Sequence, residues 1–287
     1  MDLPLRTIAV VAGVGLTLFV LERIFPLRRR TRSLLGRLVL NLAVSAVAYG
    51  TAFAAVRPAA ERAFAWTGAE SFGLLHLVAL PAPLELAAAF LLMDLTFYYW
   101  HRLNHRVPFL WRFHNVHHFD PDLDVSTAFR FHFGEIALSA GLRVVQVVLI
   151  GLSSWAFALY ELAFQANTLF HHSNLRLPIR VERALNRLLV TPRMHGIHHS
   201  QVEWETHSNY GVVFPWWDRL HRTLGLDVPQ DAVVIGVPGY SEPDDNRFWT
   251  ALAAPFRRQR EYWSRPDGTP VERSSRAGGE DRHRLAE

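Results

Sequence analysis

Long apolar runs dominate this chain and leave few folds open to it. From Pro4 to Phe25 it reads through IAVVAGVGLTLFVL, about the twenty residues a helix needs to cross hydrocarbon. Leu38 to Val56 repeats the pattern, and Leu84 to Trp100 supplies a third block. Gly134 to Phe170 is long enough for two more, with a break at IGLSS over residues 150–154. In lipid each backbone polar group must be satisfied within its own segment, so such runs predict helices. No strand pattern interrupts them. The first block is followed by PLRRRTR rather than by a small-residue cleavage site, and reads as a retained anchor. The expected fold class is all-α, a multi-span membrane helix bundle of about four to five spans.

Arginine sets the orientation. Arg28, Arg29, Arg30, Arg32 and Arg37 fall between the first two spans, whereas only Arg57 and Arg62 follow the second. The positive-inside rule puts the Arg28–Arg37 loop in the cytoplasm. The third span then returns to that side at Trp100. If residues 134–170 form an out-and-back hairpin, HHSN at 171–174 returns there too. The expectation is a multi-pass protein of the bacterial inner membrane with its site on the cytoplasmic face. Cysteine is absent, which removes disulfides and thiolate metal sites. All 30 basic residues are arginine, and they follow the spans rather than forming a basic domain. A net charge of +4 so distributed suits a face lying on anionic lipid and speaks against a nucleic-acid partner.

Against this apolar background the histidines cluster. HRLNH gives His101 and His105 at i, i+4, and HNVHH gives His114, His117 and His118 at i, i+3, i+4. HGIHH repeats the triplet with His195, His198 and His199, and HHSN adds His171 and His172. Helical neighbours at these spacings share a face, with the middle residue of each triplet turned aside. Zinc is satisfied by four ligands, or by three and a water, so two triplets and two pairs exceed one ion and predict a di-metal site in a cytoplasmic helical cap. Imidazole suits zinc, copper, iron and nickel alike. The setting, at a membrane surface fed by apolar helices, suits a lipid substrate and oxygen chemistry. A non-catalytic membrane metal-binding or transport protein is the alternative, and it predicts ionisable residues lining several spans at mid-depth. A haem cytochrome needs paired axial histidines inside the bundle, and zinc hydrolysis lacks its HExxH motif. No flavin or nicotinamide fingerprint occurs, so reducing equivalents must come from outside. Asp94 precedes His101 by seven residues on the same helical face, inside an apolar span. A carboxylate there is expensive and usually functional, and it is expected to accept the outer N–H of a ligand histidine. Glu135, Asn209 and Asp218 have similar roles open to them. Arg143 either snorkels or lines a cavity for lipid.

The series HRLNH, HNVHH, HHSN and HGIHH, with LWRFHNVHHFDPDLDVSTAFRFHFGE and SNYGVVFPWWDRL around it, resembles the fatty acid hydroxylase/sterol desaturase superfamily over roughly residues 80–225. That superfamily includes sterol and fatty acid hydroxylases, sterol desaturases and alkylglycerol monooxygenase. The resemblance implies a lipid hydroxylase or desaturase with two Fe and O2 as co-substrate. Its substrate would be a sterol, fatty acyl or ether lipid, and a separate ferredoxin, cytochrome or reductase would donate electrons. Carried over by position, the ligands are His101, His105, His114, His117, His118, His172, His195, His198 and His199. His132, in FRFHFGE, is a further candidate ligand. His171 stands where relatives usually have glutamine and ranks below His172, while Asn167 could offer a weak oxygen ligand. His207 replaces a usual aspartate, and WWDRLHRTLG departs from the usual ending, which leaves His221 incidental. The expected organisation is a transmembrane region over 1–80, a catalytic domain over 81–226, a cytoplasmic segment over 227–263 and a disordered tail over 264–287.

Overall fold

The structure is a computed structural model and describes residues 2–273. Helices α1 (Asp2–Ile24), α2 (Leu34–Thr51) and α3 (Arg57–Glu70) come first. Next are α4 (Ala82–Arg106), α5 (Pro108–His118), α6 (Phe133–Ile150) and α7 (Ser154–His172). Short helices α8 (Ile179–Leu185), α9 (Pro192–His198), α10 (Glu203–Thr206), α11 (Trp216–Leu220) and α12 (Phe248–Ala253) follow. Among the described residues there is no strand, only isolated bridges such as Pro26 with Leu175. The fold is all-α. Four helical runs are long and apolar enough to cross a membrane: Thr7–Ile24, Leu34–His76, Ala82–Arg106 and Phe133–Ile150. Helix α7 is long enough for a fifth, but Glu161, Gln165 and Asn167 interrupt its apolar character.

Local chemistry sets the breaks. Pro108 cannot continue α4, and the residue before a proline is pushed from helical geometry. Val107 accordingly adopts φ −95°, ψ 114°. Helix α5 then doubles back, and its histidines face those of α4. At the other end of the bundle Gly151 closes α6 at φ +78°, and Ser153 caps α7 through the Ala156 N–H at 3.1 Å. A Cβ on Gly73, itself at φ +118°, would lie 2.3 Å from the Gly151 nitrogen, so the end of the N-terminal region packs directly on this turn. Between the ends, Met93 of α4, Val147 of α6 and Tyr160 of α7 share one buried cluster.

The N-terminal helices reach into the histidine-bearing half. Arg37 donates from Nε to Asp120 Oδ1 at 2.7 Å and from Nη2 to Asp120 Oδ2 at 2.8 Å. It also pairs with Asp124 at 2.5 Å. Asn41 adds a bond to Asp120 at 3.0 Å. Glu22 Oε2 accepts from the backbone of Val125 at 3.2 Å and of Asn174 at 2.7 Å. The loops that follow His118 and His172 are thus tied to α1 and α2. Two arginines of the Arg28–Arg37 loop are drawn inward by this packing, Arg37 to the aspartates and Arg28 to Gln230 and the Pro192 carbonyl. Arg29, Arg30 and Arg32 remain exposed.

The tail expectation needs correction over its first ten residues. Val271 N–H donates to the Trp263 carbonyl at 3.0 Å, and Arg273 Nε pairs with the buried Glu205 at 2.6 Å. Residues 264–273 therefore dock on the body. Backbone pairing and one ion pair achieve this without large apolar residues, which is why composition concealed it. Residues 274–287 lie outside the described residues.

Removing one partner of a buried ion pair strands the other and costs about 3–5 kcal/mol. Arg37→Ala is expected to lower the thermal midpoint in detergent sharply, while Arg30→Ala, at an exposed site, leaves it within error.

Candidate metal centre

Nine buried histidines converge in two groups. One comprises His101, His105, His114, His118 and His198, the other His117, His172, His195 and His199, with ligand atoms in each within 4.8 Å of one another. The HNVHH triplet splits between them: His114 and His118 face the first group and His117 the second. HGIHH splits likewise, with His198 in the first group and His195 and His199 in the second. The rings of His118 and His199 stack across the boundary at 4.2 Å.

Inward nitrogens lie too close for anything but shared protons or a shared ion. In the second group His172 Nε2 stands 3.0 Å from His117 Nε2 and 3.0 Å from His195 Nε2, and His199 Nε2 is 3.1 Å from His195 Nε2. In the first, His118 Nε2 and His114 Nε2 are 3.2 Å apart. Outer partners fix several tautomers. Since a carbonyl can only accept, His101 Nδ1 donates to Tyr210 O at 2.8 Å, His198 Nδ1 to Ser208 O at 2.7 Å and His172 Nδ1 to Thr168 O at 2.8 Å. His114 Nδ1 faces Glu135 Oε1 at 2.7 Å. Each of these rings turns an Nε2 lone pair inward, where protons are too few to pair them all. His198 Nε2 and both nitrogens of His105 are buried with no hydrogen-bond partner. Unpaired buried acceptors are costly, and a cation is what lone pairs converging from several sides accommodate. Burial, and then the neighbouring imidazoles, holds His117, His118, His195, His198 and His199 well below the usual histidine range. They are neutral at physiological pH, the form that ligates metal.

The spacing also bears on coordination. Two nitrogens each ~2.1 Å from one ion stand about 3.0 Å apart at a right angle and about 3.4 Å apart at the tetrahedral angle. The 3.0–3.1 Å separations of the second group lie at the right-angle end, and the 3.2 Å pair of the first lies midway between the two. A group of five imidazoles also exceeds what tetrahedral zinc uses. The residues therefore fit an ion with more than four ligands at the first group.

Other candidate residues fall into place around the groups. Glu135 is the carboxylate behind His114, the position at which such a partner orients a ligand ring and raises its basicity. Asp94 does not touch a histidine. Its carboxylate accepts from Trp217 Nε1 at 2.8 Å, from the backbone of Val213 at 3.3 Å and Phe214 at 3.1 Å, and from Tyr160 at 3.3 Å. The 210–217 loop fills the helical face on which periodicity had put both Asp94 and His101. Asn209 also reaches no ring. It sits at φ +56° between the two carbonyls that accept from His198 and His101, bonding Met194 O at 3.0 Å and Gly225 O at 2.7 Å. Asp218 accepts from the next two backbone N–H groups, Tyr210 at 2.8 Å and Gly211 at 2.7 Å, and burial pushes its carboxyl up to about 6. Three polar residues singled out by sequence thus support one loop, whose carbonyls do the orienting.

His132 belongs to neither group. Its Nδ1 caps α6 by accepting from Gly134 N–H at 2.9 Å, and its Nε2 lies 3.1 Å from Leu252 O, so both nitrogens are used elsewhere. His171 is buried beside His195 but outside both groups, while Asn167 donates to Val212 O. His207 packs edge-on to Trp263 at 5.3 Å, and burial, then Arg106, pushes it down to about 4. His221 bonds Tyr99 at 2.7 Å and Trp217 O at 2.8 Å, away from the groups. Arg143 neither snorkels freely nor stands alone: it pairs with Glu161 at 2.7 Å, with Phe97 and Phe164 around its guanidinium. Sequence reasoning missed the aromatic lining. Phe131 stacks on His117 at 4.4 Å, and Trp111 lies 4.8 Å from the His105 ring.

The region that carries these histidines is similar to known proteins. Residues 86–223 match the family described as fatty acid hydroxylase. The chain is 29% identical over 179 residues to ornithine lipid hydroxylase OlsE of Rhizobium tropici, covering 62% of this chain and 52% of that protein. It is 28% identical over 160 residues to human alkylglycerol monooxygenase, covering 52% and 32%. It is 30% identical over 162 residues to a cholesterol 25-hydroxylase-like protein of Danio rerio, covering 55% and 61%. Residues 86–223 thus match a fatty acid hydroxylase domain, in a chain with four described helical runs long and apolar enough to cross a membrane. The chain spans between about a third and three fifths of the lengths of those relatives. No solved structure matches it.

Outer partners of ligating histidines are typically worth about 10–100-fold in metal affinity. Glu135→Gln is expected to weaken metal binding by that order in a competitive chelator titration. His132→Ala, which loses a helix cap and the bond to Leu252 O but no ring of either group, should cost about 1–3 kcal/mol of stability and leave the affinity unchanged.

Proposed function

We propose that this protein is an O2-dependent lipid hydroxylase with a pair of iron ions held by the nine converging histidines. The observation that carries the reading is the split of each HxxHH triplet between two buried imidazole groups. The five-imidazole first group, and the short nitrogen spacings of the second, support iron over structural zinc. The first group would be His101, His105, His114, His118 and His198, the second His117, His172, His195 and His199. When bound, such a pair supplies reduction of O2 coupled to oxygenation of a C–H bond, with two electrons from a separate protein and the second oxygen atom leaving as water.

The chain's own residues do the rest. Tyr210 O, Ser208 O, Thr168 O and Glu135 hold outer ring protons, so that Nε2 of His101, His198, His172 and His114 stays unprotonated and aimed inward. Phe131, Trp111 and Tyr210 pack on the rings and exclude water. The apolar helix α4 runs directly into the first group, which supports delivery of a lipid from the membrane. The relatives' names, covering an ornithine lipid, an alkylglycerol and cholesterol, support a lipid as the substrate class. Desaturation uses the same hydrogen abstraction and belongs to the same reading. The exposed Arg29, Arg30 and Arg32 support a cytoplasmic site on a bacterial inner membrane, within reach of a ferredoxin, cytochrome or reductase.

Lipid mass spectrometry of a deletion strain and its parent tests this. A lipid heavier by one oxygen, or lighter by two hydrogens, should vanish on deletion and return with the wild-type gene. His171→Gln should restore it and His172→Ala should not, because only His172 points into a group. Unchanged lipids on deletion, or restoration by His172→Ala, would sink the proposal.

A further inference from the structure

The C-terminal segment beyond the family match holds an exposed aromatic surface at an unusual height in the bundle. Helix α12 buries Ala251, and the turn after it Ala254, in a cluster with Leu40 and Val44 of α2 and with Trp111 and Val116 of α5. Leu40 and Val44 lie one to three turns inside the apolar run Leu34–His76. On the same turns of α2, Val39 is 61% and Leu42 57% exposed. These side chains face hydrocarbon if the run crosses a membrane, because nothing among the described residues covers them. Helix α12 packs on those turns and shares their depth.

Its outward residues match that depth. Trp249 is 76% and Phe256 65% exposed, large apolar rings that water would penalise. Phe256 is not a loose end, since its ring lies 5.8 Å from Phe113 and 6.2 Å from Phe133 at the start of α6. The Leu252 carbonyl is held by His132 at 3.1 Å. Phe109, exposed on α5, continues the apolar collar through Phe113 at 5.4 Å. Exposed Arg247, Arg257 and Arg258 border these rings. Rings beside arginines, with no further protein layer outside them, make the composition of a lipid–water interface.

We propose that residues 247–258 lie in the interface of the leaflet on the histidine side, Trp249 and Phe256 among acyl chains and Arg257 and Arg258 at anionic headgroups. The segment is then a second kind of membrane contact, lying in the leaflet rather than spanning it. Apolar burial supplies most of the hold, and the arginines add attraction to anionic headgroups. The inference concerns placement only and stands whatever reaction the histidines support.

The absence of cysteine allows direct measurement. Trp249→Cys and Phe256→Cys carry a nitroxide in the full chain, in nanodiscs of phosphatidylcholine with or without phosphatidylglycerol. Val39→Cys serves as the lipid reference and Asp244→Cys as the aqueous one. Labels at 249 and 256 should favour oxygen over a water-soluble nickel chelate several-fold relative to position 244, approaching position 39. Phosphatidylglycerol should deepen them, and Arg257→Gln with Arg258→Gln should remove that increment. Nickel accessibility equal to that at position 244 would overturn the placement. Shielding from both reagents would instead put a protein against the surface and overturn it too. Water exposure at position 39 would remove the shared-depth argument, and equal depth in both lipid mixtures would overturn the headgroup contact.

Discussion

Lone pairs pointed at one another in a dry interior are the constraint from which the rest of this structure follows. Nine buried imidazoles leave more inward acceptors than available protons can pair. Unpaired buried acceptors destabilise a fold, so the arrangement is sustainable only if cations fill the groups or if the surroundings hold each ring rigidly. The surroundings do hold them. Protons sit on the outer nitrogens of His101, His198 and His172 because backbone carbonyls accept them there, and burial keeps the rings of His117, His118, His195 and His199 neutral. A metal bound there would be coupled to folding through this one set of contacts.

That rigidity depends on parts of the chain outside the hydroxylase domain. Glu22 at the end of α1 bonds the backbone after both DPDLD and HHS, and Arg37 of α2 closes on Asp120 and Asp124. The loop over residues 208–214 is held from three sides by Asp94, Asn209 and Asp218. Intramembrane carboxylates and buried aspartates are costly alone. Here each is saturated with donors and spends its charge on loop position. The N-terminal helices are therefore structural walls of the centre as well as spans.

Much of this was legible in the sequence because it is periodic. Apolar runs announced the helices, and the i, i+4 histidines announced shared faces, with the i+3 ring turned aside to the other group. Periodicity cannot tell what occupies a face. Asp94 does lie on the His101 side of α4, but Trp217 and the 213–214 backbone reach it first. It cannot separate adjacent roles either: His132 looked like a ligand and caps a helix, whereas Glu135 three residues on supports His114. Carbonyl acceptors such as Ser208 and Tyr210 carry no side-chain signature at all. The docked 264–273 segment was hidden for the same reason, because its hold is backbone pairing and a single Arg273–Glu205 bridge.

The central claim is that the two imidazole groups are two metal sites. Anomalous scattering from crystals of the full chain, collected on either side of the iron absorption edge, tests it most directly. The account predicts two iron peaks per chain, one among His101, His105, His114, His118 and His198 and the other among His117, His172, His195 and His199. A single peak, or a signal at the zinc edge alone, would contradict it.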